Sequence, residues 1–333
     1  MDLTIVITTR NRSEKLIRVI KNLEDSKFKG KLLIGDASDY KNSYSSKQYL
    51  KKTSLNYEYI FHEGFSVMDS HNILASKIST KYSLCIADGA LVILDGIKKC
   101  LNHLENNSDL VAISGQVFNF EYKKKTNFKF SYYKMPNIKD QDVVKRFSNI
   151  CRNYNVGLYC VMQSKVWIHI WKNLEKIDTH PLAAEIIPNI KLFIAGNVSN
   201  TNTPYLLREM HSKRVSKDPK PLTTYKHFLR DYKYSIDMIC KEIKLFNLSI
   251  SKEKIKNIFD SLIYKEDKKN YLTRKRNEIY SILSSFDLIN NTINFLKVEN
   301  FGRKFSWNNN DKYKLREAIQ FIKSYKDSNS LKR

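Results

Sequence analysis

Only nine glycines occur among 333 residues, and none is arranged as a GxxxxGK[ST] phosphate loop or a GxSxG nucleophile elbow; no HExxH pair is present either. Those chemistries need their loop, elbow or paired imidazoles, so the commoner NTPase, serine-hydrolase and metalloprotease readings fall away. No apolar run approaches the roughly 20 residues that cross a bilayer. The chain enters an apolar strand at Leu3 with no leader pattern before it, which predicts a protein that stays in the cytoplasm. Cysteine is sparse and unpaired in pattern: Cys85, Cys100, Cys151, Cys160 and Cys240 show no metal-type spacing and several sit inside apolar runs, as buried thiols of a reducing compartment do. No internal repeat is evident. Acid is short as well, with 34 Asp and Glu against 58 Lys and Arg and a formal charge of +24.

What is present is enough for a core, since 42% of the residues are hydrophobic. Leu3 to Thr9 is an apolar run that stops in hydroxyl and charged residues, Thr8-Thr9-Arg10-Asn11-Arg12. Leu16, Ile17, Val19, Ile20 and Leu23 then fall on one helical face. Lys31 to Asp36 and Tyr82 to Ala87 are further continuous runs closed by polar residues, as buried parallel strands are. Tyr57 to Phe61 reads as a strand, followed by a helix through Met68, Ile73, Leu74 and Ile78. Leu91 to Leu104 reads as another helix, and Leu110 to Ser114 as a strand. This β-α-β-α order with short links predicts a three-layer nucleotide-binding domain, whose ligand lies beyond the carboxyl ends of the strands. The ends at Thr8 to Arg12 and at Asp88 to Ala90 are therefore expected to share one pocket. Asp36, at a third strand end, is placed to accept hydrogen bonds from a base or ribose, or with Ser38 to cap a turn.

The succession of Thr-Thr-Arg-Asn-Arg12, Gly35-Asp-Ala-Ser-Asp39, a helix carrying Asn72, Ile86-Ala-Asp-Gly-Ala90, Asp95-Gly-Ile97 and Leu104-Glu-Asn-Asn-Ser-Asp109 resembles family 2 type glycosyltransferases of the GT-A fold. The likeness is greatest to a bacterial branch that builds surface polysaccharides such as capsule and lipopolysaccharide. It covers residues 3 to 120 well and 150 to 214 more loosely, through Tyr159-Cys-Val-Met-Gln-Ser164 and Leu207-Arg-Glu-Met-His211. It implies a Rossmann-like α/β domain and a nucleotide-sugar donor bound by Thr8, Thr9, Arg10, Asp36, Asn72 and Asp88. It also implies a divalent metal, Mn or Mg, at an Asp-x-Asp motif. Here the motif is degenerate: Asp88 stands alone before Gly89 and Ala90, with His211 as the second candidate ligand. Three outcomes follow, namely weak metal binding, neutralisation of phosphate by Arg or Lys, or loss of turnover. Asp69 and His71, beside Asn72, could also face the sugar. Inverting transfer needs a base for the acceptor hydroxyl. The resemblance places it in His180-Pro-Leu-Ala-Ala-Glu-Ile-Ile-Pro188, where Glu185 stands alone among apolar residues that would raise its pKa. Asp178 and Glu175 are the substitutes if Glu185 faces solvent, and a helix-surface glutamate is the plainer alternative.

Beyond Lys217-Asp-Pro-Lys-Pro-Leu222, read as a linker, only helical periodicity remains. Stripes run through Tyr225, Leu229, Tyr232, Ile236, Ile239, Ile243 and Phe246, through Ile255, Phe259 and Leu262, and through Ile279, Leu283 and Phe286. A last helix is expected from Asp311 to about Lys326. The predicted division is a GT-A domain over 1–214 and a basic, α-helical appendage over 215–333. After His211 there are 28 Lys and Arg against 14 Asp and Glu. Such charge is that of solvated helix faces, or of a surface attracted to anionic lipid on the inner face of the cell membrane, where a lipid-linked glycan acceptor would be met. The same charge would suit nucleic acid, so a DNA-modifying sugar transferase is the rival, and a catalytically silent sugar-nucleotide binding homologue the third reading.

Overall fold

The structure, a computed structural model, describes residues 1–124, 127–210, 221–248, 250–283, 298, 300–301 and 303–330. Its α/β class with added C-terminal helices is the one expected. Five strands and four helices build the first half: β1 (Leu3–Thr9), α1 (Ser13–Asp25), β2 (Lys31–Asp36), α2 (Tyr40–Leu50), β3 (Asn56–Phe61), α3 (Val67–Ala75), β4 (Tyr82–Ala87), β5 (Ala90–Val92) and α4 (Leu94–Glu105). The second half runs β6 (Leu110–Lys124), β7 (Asn127–Tyr133), α5 (Val143–Arg152), β8 (Val161–Gln163), α6 (Ser164–Trp171), a π-helical turn (Leu182–Ile186), α7 (Ile187–Ala195) and β9 (Asn197–Glu209). Three long helices follow, α8 (Phe228–Lys244), α9 (Lys252–Leu283) and α10 (Asn309–Ser330).

One mixed sheet holds the nine strands, in the order β3-β2-β1-β4-β8-β6-β9-β5, with β7 hairpinned onto β6. β1 lies parallel to both β2 and β4, so the chain steps first to one side of β1 and then to the other. Between the carboxyl ends of β1 and β4 such a reversal opens a crevice, the place where open α/β sheets take ligands. The apolar runs become strands because both faces are covered: every residue of β1 except half-buried Thr8 is buried. In α1, Leu16, Val19, Ile20 and Leu23 are fully buried, which fixes the helix across the sheet.

Along β9 alternate residues serve two cores. Leu207 joins Leu91, Phe118, Phe120 and Phe130 in a second apolar cluster completed by Val298, Trp307, Leu315, Ile319 and Ile322 from the C-terminal segment. Leu206 belongs instead to the main core. The period of two along a strand requires this division.

Some sequence expectations need correction. The helix expected from Leu91 begins at Leu94, because Ala90–Val92 is drawn into antiparallel pairing with β9 and Ile93 N–H donates to the Tyr205 carbonyl. Gly96 follows directly, where an added Cβ would lie 2.2 Å from the Pro204 carbonyl oxygen. The strand expected over Leu110 to Ser114 extends to Lys124 by pairing with β9 and β7. On α8 the buried side is set by Phe228, Asp231, Ser235, Ile236, Ile239 and Ile243, while Leu229 is 74% exposed and Phe246 42% exposed. Ile255, Phe259 and Leu262 are buried as expected. The segment 211–220, with His211 and most of the expected linker, lies outside the described residues, as do the side chains of Ile279 and Leu283 and the whole of Phe286. Among the described residues no helix is long and apolar enough to cross a membrane, and all five cysteines are free thiols, three buried and two half-buried.

Candidate active site

The strand ends form a stitched rim. Asn11, in the left-handed conformation at φ 55°, donates its N–H to the Ser38 hydroxyl, and its side-chain oxygen accepts from the Asp39 N–H. Turn β1–α1 is thereby tied to turn β2–α2. Beneath them Asp36 is buried; one carboxylate oxygen accepts from the Ser38 N–H at 2.8 Å and the other from the Tyr59 hydroxyl at 2.6 Å. These bonds match the turn-capping alternative for Asp36. Thr8 is half-buried and Arg10 exposed on the rim, while Asn72 is half-buried on α3. Its neighbours have other duties. Asp69 closes a capping box with Ser66 at the start of α3, and His71 is buried, stacked at 3.9 Å on Trp171. Burial pushes the His71 imidazole down to about 3, so it stays neutral.

Asp88 sits in the crevice between β1 and β4. The Thr9 hydroxyl donates to one of its oxygens at 3.0 Å, and the Arg12 guanidinium to the other at 3.2 Å. One and two helical turns further along α1, Lys15 and Arg18 meet Glu209 at the end of β9, and Arg18 also donates to the Gly89 carbonyl at 3.1 Å. Cations of α1 thus hold both the Asp88-Gly89 turn and the tip of β9. Hard divalent ions need several oxygen ligands. The described residues offer one carboxylate, already bonded to Thr9 and Arg12, and no group of three His, Cys, Asp or Glu suited to a metal occurs among them. On these residues alone the donor set falls short of what such an ion requires.

Glu185 lies on the π-helical turn that leads into α7. Single π turns are rare and concentrate at functional sites, because the wider turn displaces a side chain from the helical row. Glu185 is exposed, as the surface-glutamate alternative expects, although protein crowds its carboxylate enough to desolvate it in part. The Tyr154 hydroxyl donates to its Oε1 at 3.3 Å. Its pKa is raised, first by desolvation and then by the like charge of Glu266 on α9; Tyr154, Arg208 and Lys269 act in the opposite direction without cancelling it. Asp178 instead pairs with Arg230, and Glu175 is exposed.

The same cleft contains residues that local sequence patterns do not single out. The Arg208 guanidinium stands 4.2 Å from the Tyr159 ring and 4.7 Å from the Tyr133 ring, a cation–π cage. Tyr133, Tyr154 and Tyr159 all feel the Glu185 charge, and burial first of all raises their pKa values. Arg208 pairs across the strands with Ala90, so the cage abuts the Asp88–Ala90 turn. Strand register sets the caged cation beside the Asp88 turn, and its charge is felt at the carboxylate of raised proton affinity. Such a set can bind an anion and accept a proton beside it.

No family model matches the chain, and no curated protein matches it. Among solved structures, S. aureus TarS is similar at 13% identity and a TM-score of 0.48, over 79% of this chain and 43% of that one. TarS 1-349 in complex with UDP-GlcNAc gives 13% identity and a TM-score of 0.48, over 79% of this chain and 72% of that one. TarS 1-349 alone gives 12% identity and a TM-score of 0.48, over 100% and 92%. The chain thus spans less than half, 43%, of the first of these proteins. At such identities and scores the likeness decides nothing about activity.

Proposed function

We propose that this chain is a nucleotide-sugar-dependent glycosyltransferase of the GT-A type, with Glu185 as the base and inversion at the anomeric carbon. The reading rests on Glu185: an exposed carboxylate of raised pKa on a π turn, coupled to Arg208, which pairs with the strand-end residue Ala90. The acceptor hydroxyl attacks the anomeric carbon and gives its proton to Glu185. The bond from that carbon to the phosphate oxygen breaks, and its electron pair leaves with the nucleotide. Thr8, Thr9, Arg10, Asn72 and Asp88 border the donor in this reading, while Asp36 shapes the floor beneath the nucleoside through Ser38 and Tyr59. Residues 1–214 act as the transferase unit and 215–333 as a basic helical unit. The acceptor we favour is a cell-surface glycan or its lipid-linked precursor.

One observation favours a second reading, a silent nucleotide-sugar binding protein: both oxygens of Asp88 are already engaged by Thr9 and Arg12. A single experiment separates the two. Nucleotide binding is followed by thermal shift with UDP, GDP, dTDP and CMP, each with and without Mn or Mg, and the donor so found is used in transfer assays. Glu185→Gln should lower transfer about a hundred- to ten-thousandfold, the usual worth of a general base, while donor binding persists. Near-normal transfer by that variant removes Glu185 from the chemistry. Binding without turnover in the native chain, with or without metal, supports the silent reading.

A further inference from the structure

We infer that Arg208, held between Tyr133 and Tyr159, is the cation that takes up the negative charge of the departing nucleotide phosphate; this rests on the transferase reading above. Four observations carry it. First, Arg208 is half-buried and makes no ion pair among the described residues, although buried or half-buried guanidinium groups ordinarily find a carboxylate. Two aromatic faces hold it in place, and it also hydrogen-bonds the Tyr159 side chain, which leaves the remaining N–H groups of the fork for a ligand. Second, Ala90 lies directly opposite Arg208 in the antiparallel β5–β9 pair. Residues opposite each other in a sheet project from the same face. Leu91 and Leu207 project from the other face, into the second core. Ala90 is small and fully buried in the main core, and the pairing sets Arg208 beside the Asp88 turn.

Third, Asn119 is the Arg208 partner on the other side, in β6, and its buried Oδ1 has no hydrogen-bond partner among the described residues. The row Ala90, Arg208, Asn119 thus sets one cation between a small buried side chain and an amide whose unpaired oxygen is an acceptor, so the guanidinium is the anion-binding group of the row. Fourth, the neighbouring base is Glu185, whose charge is felt by the same tyrosines. As the bond from the anomeric carbon to the phosphate oxygen breaks, that oxygen gains the electron pair, and the planar guanidinium donates to it. The acceptor proton has meanwhile passed to Glu185, so charge balances within the cleft. Guanidinium suits this role because its fork matches two phosphate oxygens at once.

The test compares each of UDP, GDP, dTDP and CMP with its bare nucleoside, by thermal shift and calorimetric titration in the presence of EDTA, on the full chain and on Arg208→Gln, Arg208→Lys and Glu185→Gln. The native chain and Glu185→Gln should bind one nucleotide far better than its nucleoside. Arg208→Gln should weaken the nucleotide about ten- to hundredfold, the worth of a charge-assisted bond, and leave the nucleoside unchanged. If Arg208→Gln does not fold, Arg208→Lys carries the comparison: it keeps the charge without the flat fork, so nucleotide affinity should still fall. A folded variant at Arg208 that binds the nucleotide within about twofold of the native chain overturns the inference and leaves the transferase reading standing. Binding by the native chain only when Mn or Mg is added also overturns it. No binding of any nucleotide by either the native chain or Glu185→Gln removes the transferase reading and this inference together.

Discussion

Glu185 is pulled in opposite directions by Glu266 and Tyr154, and each pull can be read out as pH dependence. Desolvation and Glu266 raise its pKa above the ordinary 4.5, while the Tyr154 hydroxyl lowers it. A base must be deprotonated, so transfer should fall as pH drops through this raised value, giving an acidic limb above pH 4.5. Tyr154→Phe removes a bond to the charged form and should move that limb to higher pH. Glu266→Gln removes a like charge and should move it to lower pH. Profiles of kcat/KM for the three proteins check both signs, and a limb that stays fixed in both variants assigns the titration to another group. Glu185 stands out in the sequence as a lone acid in an apolar stretch. Arg208 was visible only as a charge within a strand. Its role comes from cross-strand register with Ala90 and from tyrosines contributed by β7 and by the loop before β8, which no local pattern joins.

Helix α7, which carries the base-bearing turn at its amino end, is secured at its carboxyl end by a side chain from elsewhere. Arg146 of α5 donates to the Phe193 carbonyl at 2.8 Å and the Ile194 carbonyl at 2.9 Å, and also to the Asp140 carbonyl at 2.6 Å. The last carbonyls of a helix have no partner within it, and a buried cation there also complements the helix dipole. Arg146→Ala should cost about 2–4 kcal/mol in urea-induced unfolding, because it strands buried acceptors; a change near zero means that water replaces the guanidinium. Elements of the first half were readable because burial on both faces leaves continuous apolar runs, as in β1 and β2. Strand β5 and the extension of β6 were not, since each depends on pairing with the distant β9, and β7 exists only as the hairpin partner of that extension. On α8 the apolar stripe was readable but its orientation was not: Leu229 fits a helical spacing yet faces solvent, and the inward side is shared with Asp231, whose carboxylate accepts from the N–H and hydroxyl of Thr179 at 2.7 Å each.

At the scale of the whole molecule the C-terminal region is more than an attachment. Helix α9 brings Glu266 and Lys269 to the charge environment of Glu185, and α10 closes the second core beneath β9. The region after His211 also carries 28 Lys and Arg against 14 Asp and Glu. If that excess meets an anionic membrane, the protein should sediment with vesicles rich in anionic lipid, at about 1 kcal/mol per basic residue near the surface, and should be released as salt is raised. Retention on neutral vesicles to the same extent contradicts an electrostatic attachment, and preferential, salt-sensitive retention on duplex DNA favours the nucleic-acid alternative. Charge was plain in the sequence, but its proximity to the cleft was not, because only folding brings α9 beside the π turn.

Strand β9 alternates between these two worlds: Arg208 turns to the cleft, while Leu207 turns to the core that α10 covers. A residue inserted or deleted just before them would rotate both assignments at once, seating a guanidinium among phenylalanines and a leucine beside the base. Length in this stretch is consequently under tighter constraint than identity, and a one-residue slip here should abolish folding and function together where many single substitutions would not.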